Sequence, residues 1–148
     1  MRQKSTIGAF VRVPIDELHH TYGRILPNGV YAFYDYKTTS DEIDLNEIEK
    51  APVLFKLIVH RSVISHWKKV GVKELTEELK QPVPFFHQAI GKPEECHIYL
   101  EGKYHRVSKS ECEGLERLAV WEHHHVEDRL KAHYNEMVSL FVISLRLK

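Results

Sequence analysis

ECEGLERLAVW, Glu111 to Trp121, is the stretch that decides how this chain folds. It opens as a single helical turn, because Ser108 followed three residues later by Glu111 is a capping-box pattern. Gly114 ends that turn. Leu115, Leu118, Ala119, Val120 and Trp121 then form an apolar run of the kind that lies buried in a sheet. Apart from Cys112, none of these residues is a nucleophile or a metal ligand of note. The stretch reads as scaffold, fixing the following helix against a sheet.

Downstream, Val126, Leu130 and His133/Tyr134 recur at the helical period, which predicts a helix from about His123 to Tyr134. Met137 to Leu147 is apolar and partly alternating, and reads as a strand. Upstream, Ile7–Pro14 and Tyr22–Leu26 are short apolar runs. Pro27-Asn28-Gly29 is a turn suited to positive φ and predicts a hairpin into the aromatic strand Val30–Tyr36. Asp44 with Glu47 starts a short helix that Pro52 closes. Val53–Val59 (VLFKLIV) is the clearest buried strand, and Val63, Trp67 and Val70 suggest one or two helical turns. Pro82 and Pro84 lead an extended piece into Phe85-Phe86. His97–Leu100 and Tyr104–Val107 are strands around Glu101-Gly102-Lys103. The expected fold is α+β: a predominantly antiparallel sheet or partly open barrel, with one main helix near the C-terminus, in a single domain over residues 1–148.

Composition narrows the function. Lys plus Arg (21) balance Asp plus Glu (21), so the net charge is zero with histidines neutral. A dedicated nucleic-acid binder needs a basic surface to release counterions, and none is expected here. No apolar run approaches the roughly 20 residues that cross a bilayer. Two cysteines are too few for a disulfide framework. Residues 1–6 carry no hydrophobic signal region. The expectation is a cytoplasmic protein with no membrane contact.

Catalytic constellations are thin. His123-His124-His125 suggests a metal site, but successive helical residues point about 100° apart and cannot converge on one ion. Zinc on a helix prefers histidines at i and i+4. Cys96-His97 with Cys112 lacks CxxC spacing. There is no phosphate-cradling glycine loop, GxSxG elbow or HExxH. The expectation is no enzyme, no cofactor and no metal. The alternatives are a metal-dependent hydrolase built on His123–His125, and a small β-domain that stacks single-stranded nucleic acid on its aromatic strand.

One segment has the chemistry of a docking surface. Asp41, Glu42, Asp44, Glu47 and Glu49 place five carboxylates in nine residues, with Asp35 just before them. Charge of one sign raises association rate and selectivity toward a basic partner. The plain alternative is a solvated helix face. Strand alternation sends Tyr31, Phe33 and Asp35 to one side and Tyr34 and Tyr36 to the other. If one side is core, the other offers aromatic anchors of the type that dominate interfaces. The predicted contact set is Tyr34, Asp35, Tyr36, Asp41, Glu42, Asp44, Glu47 and Glu49.

Ordered blocks along the chain point to a family. They are GAFVRVP (Gly8–Pro14), YGRIL (Tyr22–Leu26), YAFYD (Tyr31–Asp35), PVLFKLIVHRS (Pro52–Ser62), PVPFF (Pro82–Phe86), ECEGLERLAVW and VEDRLKAHY (Val126–Tyr134). With them the chain resembles the bacterial immunity protein 26 family, encoded beside polymorphic toxins. The resemblance implies a mainly β, α+β protein that binds and neutralises a cognate toxin, often a nuclease, and implies no catalytic residues. Two features depart from the family pattern, the histidine-rich Glu122–His125 and the long apolar C-terminus. The second admits an extra strand or a self-association surface, hence a homo-oligomer.

Overall fold

In the computed structural model, which describes residues 3–148, ten strands form two sheets. The six-stranded sheet grows from a meander. β1 (Ala9–Pro14) and β2 (His20–Ile25) pair antiparallel, and Pro27–Gly29 turns the chain into β3 (Val30–Tyr34). Asn28 and Gly29 take φ of 65° and 76° there, the positive values that the Asn-Gly pair supplies. Helix α1 (Leu45–Lys50) follows, and β4 (Val53–Val59) returns antiparallel to β3. β5 (Lys68–Val72) closes the far edge beside β1.

The four-stranded sheet holds β6 (Phe85–Gln88), β7 (Cys96–Leu100), β8 (Lys103–Val107) and β9 (Glu116–Arg117). A four-residue helix α2 (Glu77–Lys80) leads into it, capped by the Thr76 hydroxyl on Leu79 N. Strand orders are β10-β4-β3-β2-β1-β5 and β8-β7-β6-β9, where β10 is Val120–Trp121. Pairing is antiparallel except for β10 on β4 and β9 on β6. The fold is therefore α+β and mostly antiparallel, with an open sheet rather than a closed barrel.

ECEGLERLAVW has a role in this layout that its apolar run did not foretell. The capping box at Ser108 and Glu111 is present, and Gly114 has φ of 82°. The run beyond is not one buried strand. It is two two-residue strands on different sheets: β9 edges the second sheet and β10 edges the first. Leu118 N donates to Phe86 O at 2.7 Å, and His60 N donates to Trp121 O at 2.8 Å, so six residues stitch the sheets together. Only Trp121 is fully buried, while Val120 stays 56% exposed.

Helix α3 (His123–Tyr134) then lays Val126 and Leu130 on the first sheet, against Tyr31, Phe33, Leu57, Trp67 and Trp121. Three further differences from the sequence reading stand out. Residues 137–147 hold a helix, α4 (Leu140–Ser144), not a strand. Ser139 caps it on Val142 N, and Phe141, Val142 and Leu145 fall on one helical side against the core. Val63 lies on a 3₁₀ turn (Arg61–Ser65), but Val70 belongs to strand β5. Finally, β3 is covered on both faces. Tyr31 and Phe33 face α3, while Tyr34 packs with Phe10, Tyr22 and Ile48 beneath α1.

Candidate functional site

The acidic segment begins where β3 ends. Asp35 N donates to Pro52 O at 2.8 Å, and the Tyr134 hydroxyl, from the last turn of α3, donates to Asp35 Oδ1 at 2.7 Å. Burial and that anionic neighbour both push the Tyr134 hydroxyl upward, so it stays protonated and donating. Tyr36 is half-buried beside Tyr22, with ring centroids 6.0 Å apart, and desolvation together with Glu47 raises its hydroxyl. Thr38 exchanges two backbone hydrogen bonds with His20, both 2.9 Å, which anchors the loop to β2.

Beyond this anchor the carboxylates spread over the surface. Asp41 accepts from Arg12 Nη1 at 2.9 Å and still keeps 87% of its side chain exposed. Asp44 caps α1, its carboxylate accepting from Asn46 N (3.1 Å) and Glu47 N (3.2 Å). A capping oxygen there satisfies amides that the helix leaves unpaired. Glu42 and Glu47 are exposed and show no ion pair among the described residues.

Two of the eight predicted contact residues lie elsewhere. Tyr34 is 1% exposed, and its hydroxyl accepts from Arg24 at 3.3 Å. It cannot be an exposed anchor, because the alternation argument assumed a free face and α1 covers it. Glu49 turns inward, accepting from Arg24 Nη1 and Lys73 Nζ, both at 3.0 Å. Burial alone would raise its carboxyl, but Lys73 and Arg24 outweigh this and hold it below the usual range. The structure brings Asp35, Tyr36, Asp41, Glu42, Asp44 and Glu47 to the surface along one segment, with Tyr34 and Glu49 as its foundation.

Arg24 is the organising residue that the sequence reading passed over. Its side chain is wholly buried, and it donates to Gly8 O (2.7 Å), Lys73 O (2.8 Å), Glu74 O (3.2 Å), Tyr34 and Glu49. Its guanidinium lies 4.0 Å from the Phe10 ring centroid. The available signal was an arginine between Gly23 and Ile25 in an otherwise apolar run. A cation in such a place needs several partners to offset desolvation.

The alternative sites do not assemble. His123 stacks on His66 at 3.6 Å and meets Glu127, His124 is exposed, and His125 stacks on Phe141 at 3.9 Å. The His124 and His125 rings lie 4.1 Å apart, yet among the described residues no group of three metal-ligating side chains converges. Cys96 and Cys112 are buried together with Phe86, and burial raises the Cys112 thiol. The aromatic side chains Tyr31, Phe33 and Tyr34 of β3 are core, so they offer no stacking platform for bases. No described helix is long and apolar enough to cross a membrane.

These features define an α+β protein whose distinctive surface is an anchored acidic segment. The sequence model of the Immunity protein 26 family matches residues 6–97, well over half of the chain, and the chain belongs to that family. Membership supports an immunity-protein role, and so a toxin partner in general. The matched residues take in the acidic segment and end inside β7, which leaves ECEGLERLAVW and VEDRLKAHY outside them. No curated protein and no solved structure matches the chain.

Proposed function

We propose that this protein binds a cognate toxin of a bacterial polymorphic toxin system and neutralises it by occlusion, without catalysis of its own. Its contact surface is Asp35, Tyr36, Asp41, Glu42, Asp44 and Glu47, with Tyr34 and Glu49 positioning them from below. The observation that carries this reading is the combination of exposed carboxylates with a buried frame. Arg24, Thr38 and Tyr134 hold the segment in place, so little ordering entropy is lost on docking.

The partner surface is basic, as on a nuclease that grips phosphates, and charge complementarity speeds encounter. The whole chain, 1–148, acts as one immunity domain in the cytoplasm, where the toxin would strike. The test is co-purification and kinetic binding with the toxin domain encoded beside this gene. Unchanged protection and association after charge reversal on this segment would reject the surface.

A further inference from the structure

A concavity on the turn between β4 and β5 has the opposite electrostatic character to the acidic segment. It encloses about 910 Å³, within the roughly 300–1,000 Å³ typical of small-molecule sites. Its frame is fastened by Gln3, whose amide donates to Ile64 O (2.7 Å) and Trp67 O (2.8 Å) and accepts from Lys69 N (2.9 Å). His60 Nδ1 accepts from Ser62 N at 3.2 Å. A backbone amide can only donate, so Nδ1 carries the lone pair and the ring proton sits on Nε2.

On this frame stand His60, Arg61, His66 and Lys68, with the Ser5 hydroxyl among them, while the Ser62 hydroxyl donates to His60 Nδ1 at 2.8 Å. Among the described residues no carboxylate lines the cavity. Among the described residues neither Arg61 nor Lys68 has an ion-pair partner, whereas Lys73, Lys80 and Arg129 are each paired. Glu127 lies behind the wall but is engaged, accepting from Trp67 Nε1 at 2.9 Å and meeting His123 at 3.2 Å. The cavity therefore concentrates cations and donors without an internal counter-charge.

We propose that this cavity binds a phosphate monoester of mononucleotide size. A phosphate dianion accepts several charge-assisted hydrogen bonds from different directions. An arginine fork, a lysine ammonium, imidazole N–H groups and the Ser5 hydroxyl around one concavity match that demand. A single carboxylate would leave most of these donors unused. The remaining volume accommodates the ester group.

The test is calorimetric titration of the full-length protein with inorganic phosphate, adenosine 5′-monophosphate, glucose 6-phosphate and adenosine. It needs no toxin, so its result is independent of the reading above. Phosphate and both monoesters bind saturably at one site, and adenosine does not. Arg61→Ala/Lys68→Ala weakens binding at least about tenfold, the worth of one lost charge-assisted bond, while thermal unfolding stays as in the wild type because both side chains are exposed. Tighter binding of the adenosine ester than of the sugar ester identifies a nucleotide, and equal binding identifies the phosphate group alone. The proposal is overturned by no saturable binding up to about 10 mM, by undiminished binding in the double variant, or by adenosine binding as well as its monophosphate.

Discussion

Arg24 Nη1 and Glu49 Oε2 lie 3.0 Å apart, and this pair joins the acidic segment to the centre of the first sheet. Arg24 has no exposed side-chain surface, so Glu49 is its nearest compensating charge. Removing one partner of such a pair strands the other in low dielectric. Glu49→Gln should therefore cost about 3 kcal/mol at neutral pH. The native carboxyl sits below its ordinary range, so its stabilisation is complete above the unfolded carboxylate pKa and fades as pH falls through the folded value. Urea unfolding at neutral and acidic pH should show the gap between wild type and variant closing toward acid. A constant gap would contradict the ionic account.

Glu42 and Glu47 behave differently, because among the described residues neither is tied into an ion pair within the fold. Glu42→Lys/Glu47→Lys should slow association with the toxin roughly tenfold at low salt, with the effect shrinking as salt screens it. Asp41 and Asp44 are less clean probes, since one pairs with Arg12 and the other caps α1. Stopped-flow association at two ionic strengths measures the effect. An equal slowing at both would assign it to something other than steering.

Gly8 has φ of 90°, and a Cβ there would collide with the Lys73 carbonyl oxygen. Its own carbonyl accepts from Arg24 Nε and Lys73 N. Gly8→Ala combines left-handed strain with a backbone clash at the Arg24 cradle, and should destabilise by upwards of roughly 2 kcal/mol. Chemical denaturation measures it directly, and a loss under half that figure would mean the β1–β5 junction relaxes freely.

His125 presents a buried Nδ1 with no hydrogen-bond partner among the described residues, and its ring lies flat on Phe141. Burial chiefly, then the neighbouring His124, lowers its pKa, while Asp128 and Glu122 oppose them. A histidine depressed in the folded state binds protons more readily when unfolded, so stability falls as pH drops below about 6.5. His125→Phe keeps the stack and removes the titration. Its melting temperature should fall less than that of the wild type between pH 8 and pH 5.5, and parallel falls would remove His125 from the acid response.

Where the sequence read true, the signal was local. Asp44 capping α1, Asn28-Gly29 turning the hairpin, the Ser108–Glu111 box and the His123–Tyr134 period each need only a few neighbouring residues. The failures were tertiary. β3 looked half-exposed because a single strand cannot say that α1 will cover its second face. Residues 137–147 are apolar enough for either helix or strand, and only packing on Trp121 and the sheet decides for α4. β5 was hidden by Lys68 and Lys69, charges suited to an edge strand. Of the candidate surface, the carboxylates were visible in one dimension. Arg24, which divides the outward-facing ones from Glu49, was not.

The short bridge from β9 to β10 has a bearing on how the chain can be divided. The family-model match ends within β7, yet Trp121, Val126 and Leu130 complete the wall around Tyr31, Phe33 and Trp67. The matched portion cannot seal its own interior. An exchange of gene fragments with its breakpoint near codon 97 would split one core between two parents. Grafting a relative's C-terminal third onto this chain should succeed only if Trp121 and the inner side of α3 travel with a compatible sheet.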